Sequence, residues 1–433
     1  MTDPRPDNAD RPPATPPTGP EAPSGAGRGA AGGVNPRQAA SALRRLAGVR
    51  ELGILLALAL LVAVTASSNA NFLSEQSIRD VLLSAAILMV LAVGQTVVIV
   101  TRNIDLSVGS VLGLTAFATG KLFVAAPDAP IVLAVLAGVG IGALCGIVNG
   151  ALIAAARVPA LVITLGTLYV FRGVDHSWAS GQQINAADMP GSFLRLGTRT
   201  LLGVPVLALL AVLVLLVVAG YLHSYRSGRE LYAIGSEPAA ARLSGIPVGR
   251  RVFGAFVVSG ALAGLAGVMY AARFGTVDAT VGSGMELQVV AAAVVGGVAI
   301  FGGSGTAYGA ALGALLLSTI DSSLAVLRVN PFWQQAVVGG LILAAIGLDR
   351  VLALRAARAA RASLAARTAR GPAPPGQRGP AGEPAGSSSP PGPPPEPAAD
   401  STLTDTATDT VTGPPGRGPD PGPTTGRSTP RGA

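Results

Sequence analysis

Long apolar stretches, separated by short polar segments, fill most of the chain between residues 50 and 350. Most of them approach the ~20 residues that an α-helix needs to cross a ~30 Å hydrocarbon core. The fifth, eighth and tenth stretches are shorter, which predicts tilted, broken or re-entrant helices where irregular backbone is buried in protein. The pattern predicts an all-α integral membrane protein with about ten transmembrane helices, over residues 52–68, 80–101, 106–125, 130–155, 159–174, 204–222, 253–272, 285–300, 306–327 and 334–349.

The composition agrees with a membrane protein and excludes several kinds of soluble site. Only 12% of the residues are charged, against about 25% in soluble domains. With one cysteine, Cys145, and two histidines, the chain cannot form an intrachain disulfide or a Cys- or His-rich metal site. The single lysine, Lys121, is followed by Leu122, and Thr115 stands where a phosphate-binding loop needs glycine. We therefore expect no metal, no cofactor and no ATP-binding motif.

The excess positive charge lies outside the apolar region. Residues 51–349 carry 14 basic and 13 acidic residues, whereas the two ends carry 17 and 10 and so supply +7 of the net +8. Residues 1–43 and the Pro-rich residues 371–433 cannot bury enough apolar area to fold, which predicts disordered tails. Arginine clusters border apolar helices without interleaved aromatic residues, so we expect a lipid bilayer as the partner and no nucleic acid.

The arginines also predict the orientation of the chain. With the N-terminus inside, the predicted inner segments hold 17 arginines and the outer segments hold five. Basic residues are enriched in short cytoplasmic loops. The bias favours an even number of spans, with both termini and both tails in the cytoplasm.

The longest predicted inner loop, residues 223–251, is amphipathic. Pro238 suits the first turn of a helix, the following alanines favour helix, and Gly245 can end it. Leu243 and Ile246 would then present apolar side chains on the cytoplasmic surface. Two interpretations remain open from composition alone: a helix that docks in a groove of a soluble partner, or an interfacial helix that lies on lipid.

The segment from Gly94 to Ser110, GQTVVIVTRNIDLSVGS, places polar residues among apolar runs. Asp105 has two interpretations. It is either a carboxylate beside Arg102, stabilised by a helix N-terminus, or part of a transport path, since a charge at membrane depth is costly. Glu286 poses the same alternative near the start of the eighth predicted helix.

Two further features have alternative interpretations. In the polar outer segment from Gly173 to Gly203, Trp178 is either an anchor at the membrane interface or a residue that stacks on a sugar. The GxxxG pairs Gly260–Gly264 and Gly309–Gly313 allow close helix approach in lipid. They predict either tight packing within one bundle or a face for a second copy of the chain.

Four motifs follow one another along the apolar region. They are GQTVVIVTRNIDLSVGSVLGL at 94–114, PALVITLGTLYVFRGV at 159–174, AIGSEPAAARLSGIPVGR at 233–250 and VVAAAVVGGVAIFGGSGTAYGAALGALLL at 289–317. They resemble the motifs of the permease subunit of bacterial ATP-binding-cassette (ABC) importers for sugars, the ribose, xylose and autoinducer class, which is related to branched-chain amino-acid permeases. The resemblance covers about residues 50–350, including AVVGGLILAAIGLD at 336–349. The family usually has Gly at the position of Arg102 and Asn at that of Ser236.

The resemblance implies a multi-pass permease of the bacterial plasma (inner) membrane, with its membrane domain over residues 50–350. It implies a permease dimer of like or unlike copies, cytoplasmic ABC ATPase subunits, and an extracytoplasmic sugar-binding protein that delivers a ribose- or xylose-like monosaccharide. Hydrolysis would occur in the ATPase subunits, so this chain would hold no catalytic residue and would not be an enzyme.

The resemblance also assigns roles to individual residues. Residues 223–251 would be the coupling loop, and its contacts with the ATPase would be Glu237, Ala240, Ala241, Arg242, Leu243, Ser244, Gly245 and Ile246. The translocation path would include Gln95, Thr96, Asp105, Ser107, Ser110, Thr164, Glu286 and Gln288.

Three other functions remain as alternatives. The alternative most similar to a sugar permease is an ABC permease for branched-chain amino acids, although the motifs DLSVGS and ARLSGI favour a sugar as the substrate. An ion-coupled secondary transporter would need a committed intramembrane carboxylate, for which Asp105, Glu286 and Asp321 are the candidates. The third is a membrane scaffold or channel.

Overall fold

The computed structural model describes residues 36–156 and 158–330, with short helical pieces at 332–333, 335–337, 339–340, 343–344 and 347. Single 3₁₀ turns lie at Ala70–Leu73 and Ala186–Asp188. A small antiparallel hairpin pairs β1 (Thr200–Leu201) with β2 (Val204–Pro205). The α-helices are α1 (Pro36–Ser68), α2 (Glu75–Ile99), α3 (Val108–Ala125), α4 (Ile131–Ala156), α5 (Ala160–Ala179), α6 (Gly191–Thr198), α7 (Val206–Ser224), α8 (Arg226–Ser236), α9 (Pro238–Leu243), α10 (Val248–Phe274), α11 (Met285–Val295) and α12 (Ala307–Val326).

Seven helices within the described residues are long and apolar enough to cross a membrane: α1 from Glu51, α2, α3, α4, α7, α10 and α12. The prediction of a mostly helical membrane protein is confirmed, whereas the number of ten spans stays a prediction. The 20-residue α5 carries Arg172 and Asp175, and α11 has only 11 residues, so neither meets the same criterion. The tenth predicted helix, 334–349, falls largely outside the described residues, as do residues 1–35 and 371–433.

Several helices extend beyond the apolar stretches that predicted them. α1 begins at Pro36 rather than at 52 and so includes the end of the predicted tail 1–43. α10 begins at Val248 rather than at 253. The added turns of α1 are rich in alanine, leucine and arginine, which are all good helix formers, so this helix continues beyond the residues that hydropathy marks as apolar. α11, in contrast, ends before Gly296 and Gly297, five residues earlier than predicted.

Side-chain caps fix the start of several helices. Ser74 caps α2, where its hydroxyl accepts from Ser77 N at 3.2 Å. Thr306 caps α12 in the same way, accepting from Gly309 N at 2.9 Å. These side chains satisfy amide groups that have no partner within the helix.

Glycines let α10 pack directly against α4. A Cβ added at Gly142 would meet the backbone of Gly260 and Gly264, and one added at Gly146 would meet the backbone of Phe256 and Val257. The pair Gly260–Gly264 therefore serves packing within one chain. The pair Gly309–Gly313 does the same, because it faces the backbone of Ala292 in α11 and of Gly296 directly after α11.

The segment between α10 and α11 is non-helical and packs against α3. Gly282 and Gly284 adopt positive φ angles of 77° and 81°, and the backbone of Gly282 lies against Gly109 of α3. The eighth apolar stretch, 285–300, was predicted to be tilted, broken or re-entrant, and it begins with the 11-residue α11. The irregular segment before α11 is partly buried against other helices, as irregular backbone at membrane depth requires.

Candidate functional site

The predicted short helix of the 223–251 loop is present as α9. Pro238 occupies its first turn, and the Glu237 carboxylate caps it by accepting from Ala239 N at 3.3 Å. Gly245 follows with a φ of 77°, a conformation that glycine adopts without a steric cost. The local sequence therefore determines both ends of the helix.

α9 presents one large apolar side chain to its surroundings. Leu243 is 91% exposed, whereas Ala241 is 4% exposed and packs against its own chain. Ile246 is half-buried. Of the eight predicted coupling residues, the exposed ones are Glu237, Ala240, Arg242, Leu243, Ser244 and Gly245. Ala241 thus supports α9 from within rather than contributing to its outward face.

An ion-pair bridge holds α8, which precedes α9, to α10. Glu230 accepts from Arg251 of α10 at 2.6 Å and from Arg226 of its own helix at 2.9 Å. The hydrogen bond from Arg251, reinforced by Arg226, holds the pKa of the Glu230 carboxyl below its usual range. The carboxylate is therefore ionised at neutral pH and joins the two helices.

The C-terminal end of α8 meets two other loops in a compact arrangement that we call the loop junction, formed by residues 100–102, 235–236 and 301–305. Gly303 N donates to Val100 O at 3.0 Å, and Gly235 packs directly on both of these backbone groups. Tyr232 donates its hydroxyl to Gly305 O at 3.0 Å. Burial raises the pKa of Tyr232 to about 12, so this donor stays protonated.

Arg102 lies in the loop junction. Its backbone has a positive φ of 67°, and its guanidinium donates to Phe301 O at 2.8 Å and to Ser236 O at 3.3 Å. The expectation that Arg102 stands beside the Asp105 carboxylate is wrong, because the side chain turns instead to these backbone carbonyls.

A buried hydrogen-bond network, the polar centre, surrounds Asp105 and joins four elements. Its Oδ1 accepts from Ser107 N at 3.0 Å and Ser107 Oγ at 2.7 Å, and its Oδ2 accepts from Ser259 Oγ at 3.3 Å. Asn149 donates to Ser107 Oγ at 2.8 Å. The Gln95 side-chain amide, oriented so that both of its ends are satisfied, donates to Asp105 O at 3.2 Å and accepts from Asp105 N at 3.1 Å. The network ties α2, α4 and α10 to the start of α3.

The structure brings together three of the eight predicted path residues, Gln95, Asp105 and Ser107, in the polar centre. Thr96, Ser110 and Thr164 are also buried, but their hydroxyls donate to backbone carbonyls. Glu286 and Gln288, on α11, are half-buried. The eight residues therefore do not form one exposed lining within a single chain.

A second group of charges lies where α5 meets the irregular segment before α11. Arg172 donates to Ala279 O at 3.2 Å and to Val281 O at 2.5 Å. The buried Asp175 carboxylate has no hydrogen-bond partner among the described residues. Glu286 accepts from Gly284 N at 3.2 Å through one oxygen. Our reading of the sequence missed Arg172, although an arginine within an apolar helix is itself a signal of a functional role.

Asn149 and Ser259 were also missed. Each is flanked by apolar residues within its helix, and the sequence offers no indication that both lie beside Asp105. Trp178 packs edge-to-face on Phe117 at 5.6 Å and is 46% exposed. Lys121 lies nearby and donates to Gln182 at 2.7 Å.

A protein-family model described as the permease component of the branched-chain amino acid transport system matches residues 77–346. The chain belongs to this family. The match includes the polar centre, residues 223–251 and most of the helical bundle. The resemblance found in the sequence is thereby confirmed.

Curated relatives match the permease over most of its helical part. The autoinducer 2 import system permease protein LsrC of Enterobacter sp. (strain 638) is 39% identical over 300 residues, which cover 69% of this chain and 86% of that protein. The LsrC proteins of Shigella flexneri and Salmonella typhi are 37% and 36% identical over 300 residues, covering 69% of this chain and 86% and 85% of theirs. No solved structure matches.

Family membership establishes the class of the protein. The permease is a multi-pass protein of the inner membrane, and its relatives are membrane transport subunits rather than ATPases. The helical bundle, the polar centre and the exposed α9 are therefore to be interpreted as parts of an ABC importer permease.

Proposed function

We propose that this permease forms half of the path by which an ABC importer carries a monosaccharide-like solute, such as autoinducer 2 or ribose, into the cell. The observation that carries the proposal is α9, a short helix with Leu243 91% exposed on a loop whose sequence resembles that of sugar permeases. The similarity to autoinducer 2 permeases supports the choice of substrate class.

In this proposal the end of the bundle that holds α8 and α9 faces the cytoplasm. The excess of arginines in the predicted inner segments supports this orientation. With α5, the broken span through α11 and the predicted helix 334–349 added to the seven long helices, the chain has about ten spans and both termini inside.

α9 acts as the coupling helix in a groove of a cytoplasmic ABC ATPase subunit. Leu243 supplies the central apolar contact, since a desolvated apolar anchor contributes most to such an interface. Arg242 and Glu237 lie at its rim, with Ala240, Ser244, Gly245 and Ile246, and Ala241 supports the helix. The bridge from Glu230 to Arg251 makes α8 move together with α10.

ATP binding closes the pair of ATPase subunits and displaces both coupling helices. That displacement biases the two permeases between inward- and outward-open states, with the free energy supplied by the differential binding of ATP and solute to those states. ATP hydrolysis takes place wholly in the partner subunits.

The path runs between two copies of the permease, which are identical or closely related. The neutral polar residues of the polar centre, together with Thr96, Ser110, Thr164 and Gln288, suit a solute recognised by hydrogen bonds. Arg172, Asp175 and Glu286 lie further along the same path. No counter-ion is needed for an uncharged sugar.

An extracytoplasmic binding protein delivers the solute to the opposite end of the bundle. A groove of about 560 Å³ there is lined by Ser192, Arg195 and Arg199. Its arginines suit an acidic rim on the binding protein, because complementary charge steers association.

The family model also names branched-chain amino acids, which supports a second candidate substrate. A leucine-like zwitterion needs paired charges at the path, and Arg172 with Asp175 could provide them. Uptake assays with ribose, autoinducer 2 and leucine on the same vesicles distinguish these substrates.

Co-purification of the ATPase tests the coupling assignment. We expect the detergent-solubilised permease to recover an ABC ATPase from its native membrane, and Leu243→Asp to lose it, because a charge at the anchor cannot be desolvated. Leu202→Asp is the matched control: Leu202 is 97% exposed on the β1–β2 hairpin, away from α9.

Loss of the ATPase in Leu243→Asp alone, at normal abundance of the permease, supports the proposal. Equal recovery of the ATPase with both variants contradicts the docking role of α9. Failure of the parent chain to recover any ATPase, together with uptake driven by an ion gradient, would contradict the importer function itself.

A further inference from the structure

We propose that Arg102 is a positioning residue that transmits the movement of α8 and α9 to the polar centre. The inference rests on the proposed function, since it assumes that α9 moves with an ATPase partner.

The backbone of Arg102 adopts a conformation that a side chain normally avoids. Its φ of 67° lies in the left-handed region, which costs a non-glycine residue free energy. Arg102 N donates to Ile99 O at 2.9 Å and so closes the turn that ends α2. Glycine would suit this turn better, so the presence of arginine points to a role for its side chain.

The side chain joins two segments far away in the sequence. Nε donates to Phe301 O in the α11–α12 loop, and Nη2 donates to Ser236 O at the C-terminal end of α8. A guanidinium presents several donors in one rigid plane, which suits two carbonyls at once. The C-terminal end of a helix also carries partial negative charge that attracts a cation.

On the α8 side, no flexible linker separates this contact from the coupling helix. Ser236 is followed directly by Glu237, which caps α9. Gly235 lies against the backbone of Val100 and Gly303 without space for a side chain. A displacement of α9 therefore reaches the loop junction directly through the end of α8.

On the other side, Arg102 is three residues from Asp105 in a short, hydrogen-bonded turn. Asn103 donates to Thr101 O at 3.0 Å, and Ile104 O accepts from Thr164 at 3.1 Å. Asp105 then binds Ser259 of α10 and, through Ser107, Asn149 of α4. A shift of Arg102 must therefore change how Asp105 sits between these helices.

The competing explanation is that Arg102 only supplies positive charge at the cytoplasmic face. Arg102→Lys separates the two roles, because lysine keeps the charge but cannot reach two carbonyls with a planar fork. Arg102→Gly removes the side chain and also the backbone strain of the turn, since glycine adopts a positive φ without a steric cost. We therefore expect this variant to fold and to reach the membrane normally.

The matched control is Arg229→Ala. Arg229 also donates to two backbone carbonyls, His223 O and Ser224 O at 3.3 and 2.8 Å. Both of these carbonyls belong to the C-terminal end of α7, so the contact does not reach the α2–α3 turn.

The experiment reconstitutes the permease with its ATPase and binding protein in liposomes and measures solute imported per ATP hydrolysed, with autoinducer 2 and ribose as probes. We expect Arg102→Gly and Arg102→Lys each to lower this ratio roughly tenfold, the scale of losing a hydrogen bond to a charged group, while ATP hydrolysis and ATPase co-purification persist. Arg229→Ala should keep the parent ratio.

An unchanged ratio in Arg102→Gly overturns the inference and leaves the importer function standing. A normal ratio in Arg102→Lys, with a loss in Arg102→Gly, also overturns it, because charge alone would then suffice. An equal loss in Arg229→Ala contradicts the specific link to the polar centre. Failure of the parent complex to import either probe refutes the proposed function instead.

Discussion

The contact between α4 and α10 gives a quantitative prediction for Gly142→Ala. A Cβ at Gly142 would lie against Gly260 O and within 2.8 Å of both Cα and N of Gly264. All of these are backbone atoms, so no rotamer change can relieve the overlap. The two helices must separate, or the added methyl group must strain them.

Gly140→Ala is the control on the same helix. A Cβ at Gly140 has no neighbour within 4 Å, so this variant gains only the helix propensity of alanine, up to about 1 kcal/mol. Gly142→Ala gains the same term but also carries an overpacking cost of about 1–3 kcal/mol. Their difference isolates that cost, because the two substitutions are chemically identical.

The single cysteine supplies the assay. Cys145 lies on α4 and is 6% exposed, so a thiol-reactive fluorogenic dye reports its exposure as the purified protein is heated. We expect Gly142→Ala to melt several degrees below Gly140→Ala, at roughly 2–4 °C per kcal/mol on the scale of soluble domains. Equal melting temperatures would refute the argument that backbone contact sets the spacing of these helices.

Two further predictions use the same dye assay. Glu230→Gln should destabilise the protein at neutral pH, because it removes the ion pairs with Arg251 and Arg226. The pKa of Glu230 is lower in the folded chain than in the unfolded chain. The stability that its carboxylate contributes is therefore present above about pH 4.5 and is lost as the pH falls through the folded pKa. A difference between parent and variant that grows on acidification would contradict this. Asp105→Ala should cost about 1–3 kcal/mol, because the Ser107 and Ser259 donors lose their acceptor; a cost no greater than that of Ser110→Ala would refute a central role for the carboxylate.

Features governed by neighbouring residues could be predicted from the sequence. α9 is the clearest case, since Pro238, the alanines and Gly245 determine its start, course and end within one short segment. The short α11 was anticipated only from the length of the eighth apolar stretch, which allowed a tilted, broken or re-entrant helix. That length did not locate the irregular segment 275–284 that precedes it.

Features that depend on tertiary contact could not be predicted. Asn149 and Ser259 join Asp105 only because α4 and α10 pack together, and no periodicity in either helix indicates it. The direction of the Arg102 side chain depends on where the α8 and α11–α12 segments meet. Hydropathy also misjudged the starts of α1 and α10, because it measures affinity for lipid rather than helix propensity.

The glycines of α4 have a consequence for how this protein tolerates sequence change. Gly138, Gly142, Gly146 and Gly150 recur at every fourth position and each faces α10, whereas Gly140 between them has open space. At Gly142 and Gly146 the nearest atoms are backbone atoms of α10, so even alanine has no room there, whereas at Gly138 and Gly150 the nearest atom belongs to a side chain. A saturation library of α4 should therefore be depleted most strongly at Gly142 and Gly146, alanine included, less strongly at Gly138 and Gly150, and permissive at Gly140.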